Sequence, residues 1–142
     1  GLAGDGDFLQ TMQETGVAAM YDVPVVWVVM NNRGFSSIRN LQENRFGRDR
    51  VIVTRFERRG EAYSANLAEV ARGFGIQGER VVDPNEIAPA VQRALASGGP
   101  ALVEVMVNER GLTSAGWWDV PVPEYLKESH ADWRHNRSKE VL

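Results

Sequence analysis

The sequence predicts an α/β protein, a doubly wound parallel sheet with helices on both faces. Three observations predict it. VVWVVM at residues 25–30 and ALVEVMV at residues 101–107 are continuous apolar runs, the mark of strands covered on both faces. Stretches with helical spacing alternate with them. Turns rich in Gly, Asn and Asp stand at the changeovers, and this alternation implies right-handed crossovers between parallel strands.

In chain order, FLQTMQETGVAAMY at residues 8–21 sets Phe8, Met12, Thr15 and Ala19 at helical spacing, weakened slightly by Gly16. Pro24 precedes the first apolar run, and Asn31-Asn32-Arg33-Gly34 ends it. A helix is expected to begin between Phe35 and Asn44. Residues 43–63 read as irregular and arginine-rich. LAEVARGFG, Leu67 to Gly75, aligns Leu67, Val70, Ala71 and Phe74 and stops at glycine, a helix with its C-terminal signal. A short strand is expected over Arg80 to Val82. Asp83-Pro84-Asn85-Glu86 is a strong helix start, with Asp83 as cap and Pro84 in the first position. That helix runs to about Ser97 and breaks at Gly98-Gly99, before the second apolar run. Residues 1–108 thus make one domain. Residues 109–142, with Trp117, Trp118, Pro121, Pro123 and Trp133, read as an irregular C-terminal tail that packs over the domain or a neighbouring subunit.

Composition narrows the function classes. The 142 residues are 43% hydrophobic and 25% charged, ordinary for a globular domain able to bury a core. A net charge of −3 gives no general attraction to nucleic acid or to an anionic membrane, and neither is expected as a partner. With no cysteine there is no disulfide, thiolate-held metal or cysteine nucleophile. The longest apolar run, Val23 to Met30, is too short to span a bilayer, and the N-terminus lacks the features of a signal peptide. The expected location is cytoplasmic.

Chemistry is expected at the carboxyl ends of the strands, where open α/β sheets bind ligands. GDGD at residues 4–7 opens the first helix, and NNRG at residues 31–34 leaves the VVWVVM strand. With those strands as neighbours, Asp5 offers a carboxylate, Asn32 an amide oxygen and the Gly34 region a backbone carbonyl. Three such oxygens suit Mg²⁺ shared with a phosphate. The Gly6 and Asp7 amides, opening a helix, suit the phosphate. The bottom-up reading is a diphosphate held through Mg²⁺.

GDG followed by NN, with Asp5 and Asn32 27 positions apart, resembles the diphosphate-binding signature of thiamine-diphosphate-dependent enzymes. Gln13-Glu14, VPVVWVVMNN, IRNLQ at residues 38–42, DPNEIAPAVQRAL and GGPALVEVMVN are similar to the acetolactate synthase and 2-oxoacid decarboxylase superfamily. The resemblance covers about residues 1–108 and implies the thiamine-diphosphate-binding fold. It implies thiamine diphosphate and Mg²⁺ as cofactors, with Asp5, Asn32 and the Gly34 carbonyl as metal ligands. Gly4, Gly6, Asp7 and Phe35 join them in holding the cofactor; Asp7 departs from the small residue common there.

Ser37 and Ile38 would face the substrate, a 2-oxoacid. The aliphatic Ile38, in place of the acidic residue of pyruvate-decarboxylase-type enzymes, argues for carboligation. The resemblance also implies what is not here. The glutamate that activates the cofactor belongs to a pyrimidine-binding domain, of the same or another subunit, that nothing in this sequence matches. The strand before GDG is expected to precede residue 1. The chain thus reads as the C-terminal part of a larger transferase or lyase, a homodimer or homotetramer, catalytically inactive by itself and with no catalytic residue of its own.

Plainer readings stand beside these. GDG alone is an ordinary tight turn, and Asn31-Asn32 alone an ordinary strand end; the pair carries the reading. The arginines at 39, 45, 48, 50, 55, 58 and 59 suit a solvated or interdomain surface better than an anion site, for coenzyme A or another phosphate. His130 and His135, five apart, suit neither a metal nor catalysis. Trp117 and Trp118 read as packing anchors, and Glu14 as a helix residue. Two rivals remain. The glycines at 1, 4 and 6 fit the G-x-G-x-x-G of a dinucleotide-binding dehydrogenase domain poorly. A non-catalytic relative or subunit would keep the fold without the cofactor.

Overall fold

The structure, a computed structural model, describes residues 1–109. Its centre is a four-stranded, wholly parallel sheet of β1 (Leu2–Gly4), β2 (Val26–Asn31), β5 (Gln77–Val81) and β6 (Ala101–Met106) in the order β1-β2-β6-β5. The helices are α1 (Asp5–Thr11), α2 (Glu14–Met20), α3 (Ser36–Phe46), α4 (Leu67–Gly73) and α5 (Ile87–Ala96). A two-residue hairpin pair, β3 (Glu57–Arg58) and β4 (Glu61–Ala62), stands apart.

The apolar runs are strands because each side chain in them finds cover. On one face Val29 and Leu102 join Phe8, Leu67, Ala71 and Ile76, so α1 and α4 pack there with Trp27, Met12 and Ala19 around them. On the other face Val103, Val105 and Ala101 meet Ala90 and Ala94 of α5, with Val26, Val28 and Met30 alongside. Burying each such valine or leucine contributes about 1.5–3 kcal/mol, and two covered faces explain why the runs do not alternate with polar residues. Doubly wound parallel architecture is therefore observed.

Several boundaries differ from expectation, each for a visible reason. The expected helix over residues 8–21 is two. Between them the backbone tightens into three-residue turns, Thr15 N to Met12 O at 3.1 Å and Gly16 N to Gln13 O at 3.0 Å. The Thr15 hydroxyl also donates to the Met12 carbonyl at 2.5 Å, occupying an acceptor that a continuous helix would use. The strand expected at Arg80 to Val82 begins earlier, at Gln77, because register with β6 runs from Gln77↔Ala101 to Val81↔Val105. The Asp83 carboxylate caps as expected, accepting from Asn85 N at 2.9 Å, but the first turn, Pro84–Glu86, is 3₁₀.

Leu2–Gly4 form the strand that leads into GDG, pairing with β2 from Leu2↔Val28 to Gly4↔Met30. The strand expected before residue 1 is instead found within the chain, at Leu2–Gly4. The tail expected over residues 109–142 falls, except for Glu109, outside the described residues. Among the described residues no helix is long and apolar enough to cross a membrane.

Candidate functional site at the carboxyl edge of the sheet

The register of β1 on β2 brings the two motifs together. Gly4 is opposite Met30, so Asp5 and Asn31 leave adjacent strands at the same edge. Asp5 is buried, 1% exposed, at the start of α1. One carboxylate oxygen accepts the Gly6 amide at 3.0 Å and the other accepts the Gly34 amide at 3.0 Å. The second bond joins the motifs directly. Burial pushes the Asp5 carboxyl above the usual carboxylate range, while the amides of Gly34, Gly6 and Arg33 pull the other way. Its hydrogen-bond donors are backbone amides, and no cation pairs with it among the salt bridges of the described residues.

The NNRG turn is held from both sides. Asn31 Oδ1 accepts the Arg33 amide at 3.1 Å, which bends the chain back, with Arg33 at φ 61°. From outside, residues 54–56 run antiparallel to the turn: Phe35 N donates to Thr54 O, and Phe56 N to Arg33 O, both at 2.9 Å. Gly34 bridges Arg55 there, and a β-carbon on Gly34 would stand 2.3 Å from the Thr54 carbonyl oxygen. Only glycine lets the strands come this close. The irregular segment thus clamps the turn, which its sequence did not announce.

The fit of this site to a cation turns on an orphan. Asn32 Oδ1 is buried and, among the described residues, without a hydrogen-bond partner, as is Thr54 Oγ1. Buried polar atoms are almost always paired, so an amide oxygen left bare on the turn that bonds the Asp5 carboxylate suits a cationic ligand. Among the described residues no group of three or more His, Asp or Glu gathers, and the candidate donors are one carboxylate with amide and carbonyl oxygens. That composition fits Mg²⁺ shared with a phosphate and suits zinc poorly.

The other sequence candidates are placed as follows. Gly6 is buried against the Phe35 ring, where a β-carbon would stand 2.3 Å from a ring carbon, so Phe35 acts in packing, edge-on to Phe56 at 5.2 Å. The Gly6 amide is already taken by Asp5. Gly4 is extended, at φ −79° and ψ 162°, and the Asp7 carboxylate folds back beside it, 3.2 Å from where a β-carbon would lie. Ser37 and Ile38 are exposed in the first turn of α3, and Glu14 is exposed in α2. Arg39, Arg33 and Arg55 converge on Glu109: Arg39 reaches its carbonyl at 2.5 Å, and Arg33 and Arg55 its carboxylate at 3.6 Å and 3.1 Å. His130, His135, Trp117 and Trp118 lie outside the described residues.

Sequence reading missed Glu104, which sits midway along β6 and is 0% exposed. The signal was present: a charged residue inside ALVEVMV cannot be buried without partners. It accepts from Asn31 Nδ2 at 2.6 Å, from the Ala68 amide at 3.1 Å and from Arg80 Nη2 at 3.2 Å.

Residues 1–105 match the family described as "Thiamine pyrophosphate enzyme, C-terminal TPP binding domain". A probable acetolactate synthase large subunit of Methanocaldococcus jannaschii is 27% identical over 107 residues, 75% of this chain and 17% of that protein. The mitochondrial acetolactate synthase catalytic subunit of Aspergillus candidus is 32% identical over 109 residues, 77% of this chain and 15% of that protein. The chain thus spans less than a fifth of these relatives. Benzoylformate decarboxylase from Polynucleobacter necessarius superposes with a TM-score of 0.67 over 77% of this chain and 19% of that one, at 18% identity, a likeness of fold. The dinucleotide-binding alternative falls away, and the chain belongs to the thiamine pyrophosphate enzymes, as their C-terminal cofactor-binding domain.

Proposed function

We propose that this chain is the Mg²⁺–diphosphate-binding part of a thiamine-diphosphate-dependent enzyme that works on 2-oxoacids, most like the acetolactate synthases. The observation that carries the reading is the bare, buried Asn32 Oδ1 on a turn hydrogen-bonded to the Asp5 carboxylate. The bound cofactor would supply decarboxylation of a 2-oxoacid with transfer of the activated aldehyde. The protein's own residues bind and orient. Asp5 would give the cation one charged oxygen while its other oxygen fixes the Gly34 amide; Asn32 and the Gly34 carbonyl would complete the protein's share. Family membership and the acetolactate synthase relatives support the carboligase side. The activating glutamate would come from a pyrimidine-binding domain of the same or another subunit, in a cytoplasmic homodimer or homotetramer, and this chain alone would be inactive.

The test is titration of thiamine diphosphate into the intact parent protein, with and without Mg²⁺, and into its Asp5→Ala form. Binding that needs Mg²⁺ and weakens with Asp5→Ala is expected. Binding indifferent to both would sink the ligand assignment.

A further inference from the structure

Glu104 is a buried anion that the proposed ligand set does not use. It lies on the face of β6 that carries Leu102, beside β2 and under α4, and has donors from three other elements. Its shortest bond is to the Asn31 side chain, 2.6 Å, against 3.2 Å to Arg80. Asn31 is also 0% exposed, and its amide nitrogen is shared between Glu104 and Ser64 Oγ, each at 2.6 Å.

An asparagine amide can sit in either of two orientations, and the neighbours decide. With a carboxylate at 2.6 Å, only the N–H side can face Glu104, because the reversed amide would set two oxygens against each other. The Asn31 oxygen is thereby turned outward, onto the Arg33 amide at 3.1 Å. That bond bends the chain through Arg33, at φ 61°, and so sets Asn32 on one side and Gly34 on the other. Glu104 touches neither, but the orientation of both passes through it.

We propose that Glu104 is the positioning residue of the metal turn, acting through the Asn31 amide to hold Asn32 and Gly34 in ligating geometry. This rests on the reading of those two as Mg²⁺ ligands. It also ties the turn to α4, whose Ala68 amide shares the same carboxylate. Groups behind first ligands commonly change metal affinity when altered, by about 10- to 100-fold.

The experiment uses the intact parent protein and Mn²⁺ as an EPR-visible probe at saturating thiamine diphosphate. Glu104→Gln is expected to weaken Mn²⁺ binding about tenfold, since the amide no longer dictates how Asn31 turns. The pair Asn31→Asp with Glu104→Gln exchanges donor and acceptor and is expected to recover most of the loss. A merely structural role would lower thermal stability without moving Mn²⁺ affinity, and would gain nothing from the exchange; either result overturns the proposal. Where Glu104→Gln does not fold, Glu104→Asp keeps the charge but draws it back from Asn31, and unchanged Mn²⁺ affinity there overturns it too. Asp5→Ala separates the two ideas. If it binds Mn²⁺ as the wild type does, the ligand reading fails and the proposal falls with it. If it loses Mn²⁺ while Glu104→Gln keeps it, only the positioning role fails.

Discussion

The amide of Gly34 donates to the Asp5 carboxylate at 3.0 Å, a bond between residues 29 apart that closes the carboxyl edge of the sheet. It exists because Gly34 has no side chain. A β-carbon there would meet the Thr54 carbonyl oxygen at 2.3 Å. Gly34→Ala is expected to destabilise by about 1–3 kcal/mol, the range for forced overpacking, measured by chemical denaturation. It should also weaken Mg²⁺-dependent cofactor binding, since the Thr54–Phe56 clamp must shift.

Asn32 should behave oppositely. Its side-chain oxygen makes no hydrogen bond among the described residues, so Asn32→Ala is expected to leave metal-free stability within about 0.5 kcal/mol. Thiamine diphosphate retention in Mg²⁺ should fall at least about tenfold. A variant that loses stability and keeps retention would show that the orphan serves the fold.

The pH response of Asp5 follows from its burial. Its carboxyl is held above the ordinary carboxylate value, so the folded chain binds the proton more tightly than the unfolded chain does. The metal-free protein therefore loses stability as pH rises from the ordinary value through the raised one, and carries the full penalty above it. Against Asp5→Asn, which lacks this titration, the wild type should lose relative melting temperature over that window. Adding Mg²⁺ with thiamine diphosphate above it should restore the wild type alone, because binding favours the ionised form. A pH-independent difference between the two proteins would refute this.

Gly78 does for α4 what Gly34 does for the turn. A β-carbon on it would lie 2.2 Å from the Ala68 carbonyl oxygen, so the helix rests directly on β5. Arg72 reinforces the contact with a bond to the Gly78 carbonyl. Gly78→Ala is expected to destabilise by about 1–3 kcal/mol, seen as a lowered melting temperature.

The sheet and the meeting of the GDGD and NNRG turns were legible because their signals are local. VVWVVM and ALVEVMV announce doubly covered strands, and GDGD and NNRG announce turns. Three features were not. The break at Met12-Gln13 depends on one hydroxyl choosing a carbonyl, which helical spacing does not register. The clamp of residues 54–56 on residues 33–35 is a non-local pairing of a segment with no strand pattern of its own. Glu104 was visible as a charge in an apolar run, but its partners come from β2, β5 and α4, and only the fold brings them together.

The clamp has a consequence in time as well as in shape. The amide protons of Phe35 and Phe56 are held by reciprocal bonds across one pair of segments, so they can exchange with solvent only when the two segments part. Their deuterium uptake would fall together when the turn is occupied and rise together when it opens. Two phenylalanine amides thus act as a clock for the site, readable in a protein that is turning over nothing.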